Sequence, residues 1–433
     1  MLDKVTVIGA GHVGATTAQR IAEKELARHL VLLDIVEGIP QGKALDEWET
    51  GPIEGFDTRL IGTNDYQETR GSDLVVITAG VPRKPGMSRE DLLATNAKIV
   101  RDVASKLKPG SPDAILIVVS NPLDAMCYVA KRTTGFPRER VFGMAGILDT
   151  ARYRTFVADA AGVSVEDVHA MVLGGHGDTM VPLVSYTTIS GVPIQQFLDA
   201  AIVERLVQRT RDGGAEIVKH LKEGSAYYAP SAAVAQMIEA VALDKKRLLP
   251  CAAWLDGEYG FRGIYLGVPC KLGRDGLEAI VEVKLADEEK KALEKSADAV
   301  RKQIEWLDSQ ERAGSAGGAG GFELWAWFFM RLSGIALLVL AVFHLVLMHH
   351  LIGVENLSFD VVAERWSNPW WRIYDFVLLL LALLHGANGL RVVLEEHIPA
   401  PGWRLAVKSF TAFVGFVLLV MGAYIIVAFQ PPA

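Results

Sequence analysis

Blocks of apolar residues alternate with amphipathic stretches over the first 145 residues of the chain. The apolar blocks are short and rich in Val, Ile and Leu: Lys4–Ala10, Leu30–Ile35, Asp73–Gly80 and Ala114–Ser120. Continuous apolar runs of this length are typical of strands buried on both faces of a parallel sheet. The stretches between them have helical periodicity, so residues 1–145 are predicted to form an α/β domain with a doubly wound parallel sheet.

The pattern changes after residue 145. Residues 146–308 mix strand-like alternation with helical periodicity and end in a charged helical stretch, which predicts an α+β domain. Residues 309–321, SQERAGSAGGAGG, have the small-residue composition of a flexible linker. We therefore expect two soluble domains, a linker and a C-terminal part of a different kind.

Residues 322–433 contain three apolar spans, about Leu324–Met348, Tyr374–Leu394 and Ala406–Phe429. A helix needs roughly 20 apolar residues to cross a bilayer, and each span is long enough. Six of the nine tryptophans lie in this part, and several flank the spans as membrane-interface residues do. Helices buried in a soluble core are the alternative; we predict a domain with three transmembrane helices.

Charge and cysteine content narrow the class of protein. The net charge of −7 argues against a nucleic-acid partner. The three cysteines have no paired spacing, which fits a reducing compartment. The first apolar block starts almost at once, so we expect no signal peptide and a cytoplasmic soluble part. Arg391, Arg404 and Lys408 would then lie in a cytoplasmic loop and follow the positive-inside rule, which predicts a multi-pass protein of the cell membrane.

A glycine-rich motif follows the first apolar block. Its residues are Gly9, Ala10, Gly11, His12, Val13 and Gly14, the pattern G-x-G-x-x-G between a strand and a helix. Glycines there permit a tight turn and a close approach to a pyrophosphate at the helix N-terminus. Asp34, at the end of the second block, would accept hydrogen bonds from an adenosine ribose and repel a 2′-phosphate. These residues predict a Rossmann domain that binds NAD rather than NADP.

An acid, a guanidinium and an imidazole follow in the next domain. Asp149 and Arg152 are three residues apart and would share one helix face, and His176 lies in the glycine-rich turn Leu173–Gly177. Oxidation of a 2-hydroxy acid by a nicotinamide needs a base, a carboxylate that orients the base, and a cation that holds the substrate carboxylate. We predict these roles for His176, Asp149 and Arg152. A helical ion pair beside a histidine in a turn is the alternative.

The apolar block that contains Val119 and Ser120 ends at Asn121. Open α/β sheets bind ligands at the carboxyl ends of their strands, where an amide can bond a substrate and a nicotinamide ribose. We therefore predict that Val119, Ser120 and Asn121 contact the cofactor and that Asn121 also contacts the substrate. Capping of the following helix by Asn121 is compatible with this role.

GILDTARYR and GGHGDTMVP resemble the lactate/malate dehydrogenase family, and the resemblance extends over residues 4–307. It implies an NAD-dependent oxidoreductase, a homo-oligomer and a cofactor contact from Asn96. It also implies a mobile lid in which Arg89 polarises the substrate carbonyl and Arg83 sets specificity. Lactate-type members carry a glutamine at the position of Arg83. Because a buried second carboxylate needs a cation, malate/oxaloacetate is the expected substrate pair and lactate/pyruvate the alternative.

The C-terminal part resembles a second family over residues 322–430. The pattern R-x-S-G, with Arg331 and Ser333, and the pattern H-G-x-N-G-x-R, which begins at His385, resemble the hydrophobic anchor subunits of succinate dehydrogenase. The resemblance implies that His385 is an axial ligand of haem b, with the second ligand from a partner subunit or the first span. It places Arg331 and Ser333 near a quinone and implies iron–sulfur, flavoprotein and second anchor subunits as partners. An interhelical hydrogen bond without haem is the alternative for His385.

The two resemblances together predict a malate-oxidising dehydrogenase fused to a membrane anchor, both from the tricarboxylic acid cycle. A gene-boundary or frameshift artefact would produce the same organisation. A rival of another class is an electron-transfer anchor whose N-terminal domain only scaffolds assembly.

Overall fold

The computed structural model describes residues 1–82, 87–222, 224–316, 322–397 and 401–429. These residues separate into two compact units, Met1–Glu311 and Arg312–Ala433. The first unit is built around a mixed β-sheet, and the second is helical.

The first unit contains a nine-stranded sheet. Its parallel half has the spatial order 3-2-1-4-5-6 and consists of β1 (Leu2–Ile8), β2 (Ala27–Leu33), β3 (Arg59–Thr63), β4 (Leu74–Ile77), β5 (Ile115–Val118) and β6 (Val141–Gly143). The helices between these strands are α1 (His12–Glu23), α2 (Ile39–Trp48), α3 (Gly51–Glu54), α4 (Arg89–Leu107) and α5 (Leu123–Thr134). This order is that of a doubly wound nucleotide-binding sheet, so the predicted fold is confirmed.

The apolar blocks form the central strands because helices cover both faces of the sheet. Every residue of β4 and β5 is buried. Parallel pairing aligns the carboxyl ends of neighbouring strands, where Thr78 N donates to Ile8 O at 2.8 Å and Val119 N donates to Ile77 O at 2.9 Å. One edge of the sheet therefore gathers the segments that follow β1, β4 and β5, which is where ligands bind in this fold.

The second half of the unit mixes helices with antiparallel strands, as predicted. Its helices are α6 (Gly146–Ala161), α7 (Ala200–Leu221) and α8 (Tyr228–Ala242). Two small sheets contain β7 (Val168–His169), β8 (Val172–Leu173), β9 (Val181–Pro182), β10 (Thr188–Ile189) and β11 (Val192–Pro193). The antiparallel strands β12 (Arg247–Asp256), β13 (Arg262–Gly273) and β14 (Gly276–Ile280) extend the large sheet beyond β6.

Helix α9 (Asp287–Ala316) is longer than predicted. Residues 309–316 are helical, which corrects the prediction of a flexible linker over 309–321; residues 317–321 lie outside the described residues. This part of the helix contains Gln, Glu, Arg and Ala, which are good helix formers. Glu311 also pairs with Arg101 of α4 and with Arg132 of α5, the latter at 3.1 Å. These contacts hold the helix against the sheet domain.

The second unit contains α10 (Phe322–Val346), α11 (Phe359–Ser367), α12 (Pro369–His397) and α13 (Pro401–Ala428). Among the described residues, three segments are long and apolar enough to cross a membrane: Trp327–Leu351, Pro369–Arg391 and Leu405–Ala428. The three predicted apolar helices are therefore confirmed. The second starts earlier than predicted because Asn368 Oδ1 accepts a hydrogen bond from Trp370 N at 3.0 Å and Pro369 suits the first helical turn.

Helix α12 contacts both α10 and α13. Tyr374 OH donates to Leu340 O of α10 at 2.7 Å. On the other side, a Cβ at Gly422 of α13 would lie 2.4 Å from Leu379 Cδ2. Small residues and interhelical hydrogen bonds of this kind are common where apolar helices pack in membranes.

Candidate active site

The glycine-rich loop connects β1 to α1. Gly9 has a φ of +107°, and a Cβ there would lie 2.6 Å from Thr78 Oγ1. A Cβ at Gly14 would lie 1.8 Å from the carbonyl oxygen of Gly9, so glycine is required at both positions. The first N–H groups of a helix have no intrahelical partner and attract anions. The loop and the start of α1 therefore fit a pyrophosphate.

Asp34 follows β2 and contacts this loop. Its Oδ2 accepts a hydrogen bond from Ala10 N at 2.6 Å, and its Oδ1 accepts one from Val36 N at 3.0 Å. Lys43 Nζ donates to Ala10 O at 2.7 Å. The acid expected to meet the adenosine ribose is thus held directly beside the glycine loop.

Two residues in the first turn of α1 also contact the start of α8 and the residue before it. The His12 ring stacks on Tyr227 with centroids 4.9 Å apart, and Val13 O accepts a hydrogen bond from Ser231 Oγ at 3.1 Å. Tyr227 and Ser231 were not predicted as site residues. They lie more than two hundred positions along the chain from the loop, so no local motif links them to it.

Asn96 and Asn121 meet at the carboxyl edge of the sheet. The buried Asn96 carboxamide donates to Asn121 O at 2.6 Å and to Val81 O at 3.1 Å, and it accepts from Val81 N at 2.8 Å. Val119 and Ser120 directly follow β5 and lie at the same edge. The structure brings these predicted residues together, and the Asn96 side chain holds the backbone on both sides of the edge.

The buried carboxylate of Asp149 joins the two predicted partners in α6 and the histidine loop. His176 Nδ1 lies 2.9 Å from Asp149 Oδ2, and Arg152 Nη1 lies 3.2 Å from Asp149 Oδ1. The helical ion pair weighed as an alternative is therefore present together with the histidine contact. One acid orients both an imidazole and a guanidinium.

Arg152 keeps further hydrogen-bonding capacity. Its Nε is buried and has no hydrogen-bond partner among the described residues. Gly213 of α7 lies beside it, and a Cβ there would be 3.2 Å from Arg152 Cδ. A guanidinium with a buried, unsatisfied N–H fits an anionic ligand such as a carboxylate. Gly213 was not predicted; a glycine pair inside a helical stretch is the signal that could have found it.

The electrostatics of His176 favour proton transfer. Burial lowers the pKa of His176, but the charge of Asp149 and its hydrogen bond outweigh burial and raise the pKa above its ordinary value. Arg152 opposes this rise and Asp124 supports it. An imidazole whose charged form is stabilised by a fixed carboxylate is suited to accept a proton.

Asp124 is a second buried acid at the histidine loop, and sequence reasoning missed it. It lies in the first turn of α5, and its Oδ2 accepts a hydrogen bond from His176 N at 3.0 Å. Burial raises the pKa of Asp124 to about 6. Acids are common in the first turn of helices because they complement the helix dipole, so its position carried no functional signal.

The family resemblance predicts two arginines in a lid, Arg83 and Arg89. Arg83 lies outside the described residues. Arg89 begins α4, and its Nη2 lies 2.9 Å from Asp178 Oδ2, with both side chains at least three-quarters exposed. Ser88 caps the helix through a reciprocal contact with Asp91. The structure thus links Arg89 to the segment that carries His176, by a surface ion pair of small energetic weight.

In the second unit, His385 of α12 contacts α10. Its Nδ1 lies 2.8 Å from the Oγ of the buried Ser333, and a Cβ at Gly334 would lie 3.2 Å from His385 Cε1. The interhelical hydrogen bond weighed for His385 is therefore present. It occupies Nδ1 and leaves Nε2 as the ring nitrogen for another ligand.

The structure does not bring Arg331 and Ser333 together. Positions two apart on a helix point in different directions. Arg331 lies over the ring of Trp327, with Cζ 3.7 Å from the ring centroid, whereas Ser333 faces His385. His344 follows Ser333 by eleven residues on α10, which is about 16 Å along the helix axis. It is therefore too far away to share a metal with His385.

Known protein families match both parts of the chain. Residues 3–143 match the lactate/malate dehydrogenase NAD binding domain, and residues 147–310 match the lactate/malate dehydrogenase alpha/beta C-terminal domain. The chain belongs to the lactate/malate dehydrogenase family. Residues 315–429 match the succinate dehydrogenase/fumarate reductase transmembrane subunit family. The two expected resemblances are confirmed.

Individual relatives cover the first unit. A malate dehydrogenase from Roseiflexus sp. (strain RS-1) is 59% identical over 304 residues, 70% of this chain and 98% of the relative. The structure of malate dehydrogenase from Salinibacter ruber has 52% identity and a TM-score of 0.69, and the match covers 72% of this chain and 99% of that one. A Cryptosporidium parvum lactate dehydrogenase, solved with lactic acid and β-nicotinamide adenine dinucleotide, has 42% identity and a TM-score of 0.68 over 71% and 98% of the two chains.

Proposed function

We propose that the first unit is an NAD-dependent malate dehydrogenase, which oxidises (S)-malate to oxaloacetate and catalyses the reverse reaction. The observation that carries this proposal is the single buried carboxylate of Asp149, which bonds both His176 and Arg152. Relatives that bear the name malate dehydrogenase and are 59% identical support this substrate over lactate. We also propose that the second unit is a membrane anchor of the succinate dehydrogenase type.

The residues of the sheet edge fit NAD. A bound nicotinamide ring accepts the hydride. The loop Gly9–Gly14 has room for the pyrophosphate at the start of α1, and Asp34 would accept hydrogen bonds from the adenosine ribose. The nicotinamide half would then lie along the edge formed by residues 119–121, which Asn96 holds in place.

The three polar residues of α6 and the histidine loop would each perform one task. Arg152 holds the substrate carboxylate with guanidinium N–H groups that Asp149 does not occupy. His176 accepts the hydroxyl proton at Nε2, because Nδ1 is bonded to Asp149. Asp149 stabilises the imidazolium that forms. In the reverse direction, the imidazolium returns its proton to the carbonyl oxygen.

Replacement of the base tests the enzymatic proposal in the full chain. His176→Asn should lower kcat/KM for malate by about 10²- to 10⁴-fold, while succinate–quinone activity persists. His169→Asn, at an exposed position of β7, is the control and should retain activity. If wild-type chain oxidises no malate, or His176→Asn oxidises it normally, the N-terminal unit is a scaffold for the anchor instead.

Arg83 would decide the choice between malate and lactate. Arg83 would pair with the second carboxylate of malate, which lactate lacks, and Arg89 would polarise the carbonyl oxygen. Arg83→Gln should lower the oxaloacetate/pyruvate ratio of kcat/KM by about 10- to 100-fold, the value of one charge-assisted hydrogen bond. An unchanged ratio would remove Arg83 from this role.

His385 is the proposed axial ligand of haem b in the second unit. A hydrogen bond donated by Nδ1 to Ser333 Oγ would fix the ring and its tautomer, and Nε2 would bind iron. The second ligand would come from a partner subunit, because His344 is too distant. Purified membranes should show a b-type absorption band that His385→Ala abolishes and the exposed control His349→Ala retains. A band that survives His385→Ala would contradict the assignment.

The remaining proposals concern quinone, partners and location. A quinone near the start of α10 would contact Ser333 or Arg331 on different faces of the helix. The partners would be iron–sulfur, flavoprotein and second anchor subunits, with homo-oligomers through the dehydrogenase unit in the cytoplasm. An immunoblot of membranes should show one full-length species that co-purifies with these subunits. Two smaller products would contradict the fusion.

A further inference from the structure

Asp124 lies where α5 begins, beside the loop Leu173–Gly177 that carries His176. The residue is 4% exposed, and its Oδ2 accepts a hydrogen bond from the backbone N–H of His176 at 3.0 Å. A Cβ at Gly175 would lie 3.3 Å from the same oxygen, so the loop backbone closely approaches the carboxylate. The contact joins residues 52 positions apart in the sequence.

Other contacts fix the same loop from different elements. Gly175 N donates to Ser296 Oγ of α9 at 2.8 Å, and Gly174 N donates to Gly267 O of β13 at 2.8 Å. The backbone of His176 itself is held by Asp124. The position of the imidazole therefore depends on the Asp124 carboxylate at the backbone and on Asp149 at the ring.

The second oxygen of Asp124 distinguishes it from an ordinary capping residue. Oδ1 is buried and has no hydrogen-bond partner among the described residues. A carboxylate that were merely structural could be replaced by a neutral amide with little loss, since burial of an incompletely bonded charge is unfavourable. The charge itself is therefore the feature that needs a functional explanation.

We propose that Asp124 is a positioning residue for His176, which fixes the loop backbone and supplies a second negative charge that stabilises the imidazolium. This inference rests on the proposed dehydrogenase function. The groups that face this pair are Asp149 and Arg152 from α6 and the buried thiol of Cys127 from α5. Asp149 bonds the ring directly, so Asp124 adds to an effect that Asp149 dominates.

The charge of Asp124 should shift the pH profile in a predictable direction. Malate oxidation needs neutral His176, and above its own pKa of about 6 Asp124 carries a negative charge that raises the pKa of His176. Removal of that charge should therefore move the acid limb of kcat/KM for malate to lower pH. Oxaloacetate reduction needs the imidazolium, so its alkaline limb should move in the same direction.

Asp124→Asn in the full chain separates charge from geometry, because the amide oxygen can still accept the His176 N–H. Both limbs should move down by about half a pH unit, and oxaloacetate reduction above the limb should fall about threefold. Asp124→Ala also removes the acceptor, so kcat should fall about tenfold further. Asp298→Asn, an exposed carboxylate of α9, removes one charge elsewhere and should leave both limbs unchanged.

Thermal melting and NADH fluorescence establish that each variant is folded and binds cofactor. The proposal would be overturned if a folded Asp124→Asn chain kept both limbs of the pH profiles at their wild-type positions. Equal losses of kcat in the Asn and Ala variants, without any shift of the limbs, would overturn it as well. Failure of the proposed dehydrogenase function would appear differently, as wild-type chain that oxidises no malate at any pH.

Discussion

One histidine in each unit bonds through the same ring nitrogen to a different kind of partner. His176 Nδ1 lies 2.9 Å from a carboxylate oxygen of Asp149, and His385 Nδ1 lies 2.8 Å from the hydroxyl oxygen of Ser333. Both partners are buried. The two distances are nearly equal, so charge is the main difference between the pairs. A carboxylate stabilises an imidazolium, whereas a hydroxyl orients the ring without adding charge.

The comparison indicates how one kind of side chain would serve the two proposed chemistries. A base that must hold a proton gains from a fixed negative charge nearby. An axial ligand needs an oriented ring with a free lone pair, and inside an apolar bilayer an extra carboxylate would be expensive. Each unit also places a glycine where a larger residue would press on the functional side chain: Gly213 beside Arg152 and Gly334 beside His385.

The largest expected effect follows from removal of the negative charge of Asp149 beside His176. Asp149→Asn keeps an oxygen that can bond Nδ1 but makes the partner neutral, as in the His385 pair. We expect kcat/KM for malate to fall by about 10²- to 10⁴-fold. The pKa of His176 should fall because its main stabilising charge is gone, so the acid limb of malate oxidation moves to lower pH.

Steady-state kinetics across the pH range measure this change. Asp159→Asn, an exposed carboxylate on the same helix, is the matched control and should leave the limb in place. An acid limb that does not move in Asp149→Asn would break the comparison, since charge would then not distinguish the two histidines.

A smaller effect is expected from the glycine beside Arg152. In Gly213→Ala, the new Cβ would lie 3.2 Å from Arg152 Cδ and displace the guanidinium by a few tenths of an ångström. We expect KM for malate to rise by about tenfold with a smaller change in kcat. Gly214→Ala is the control, because its Cβ would lie 3.9 Å from Arg152 Nη2, an ordinary contact. Equal KM values in the two variants would show that the space beside Arg152 is not required.

The smallest effect is expected in the second unit. Ser333→Ala removes the hydrogen bond to His385 Nδ1 but leaves Nε2 untouched, so the b-type band should persist with haem binding about fivefold weaker. Titration of haem into depleted membranes measures the affinity, with the exposed Ser367→Ala as control. Complete loss of the band in Ser333→Ala would mean that orientation of the ring matters as much as its presence.

Parts of the candidate site that are formed by residues close together in the sequence were predictable from the sequence. The glycine loop follows its strand directly, and Asp149 and Arg152 share a helix face by spacing alone. The contact between Asp124 and His176 was not predictable, because it depends on how α5 packs against a loop 52 positions away. Gly213 beside Arg152 likewise depends on the packing of α7 against α6.

The composition of a segment was a poor guide to its structure where tertiary contacts extend a helix. Residues 309–316 look like a linker, but ion pairs of Glu311 with α4 and α5 support a helix there. Arg331 and Ser333, both predicted near a quinone, lie on different faces of α10, because Arg331 lies over the ring of Trp327 and Ser333 contacts His385.

The hydrogen bonds of Asp34 have a consequence for cofactor exchange. Its carboxylate bonds the backbone N–H groups of Ala10 and Val36, and Lys43 bonds the carbonyl of Ala10. The residue that would select against a phosphorylated ribose also braces the turn that receives the pyrophosphate. A single substitution of Asp34 that favours NADP would therefore weaken the binding of either dinucleotide. An evolutionary change of cofactor would have to rebuild the turn at the same time.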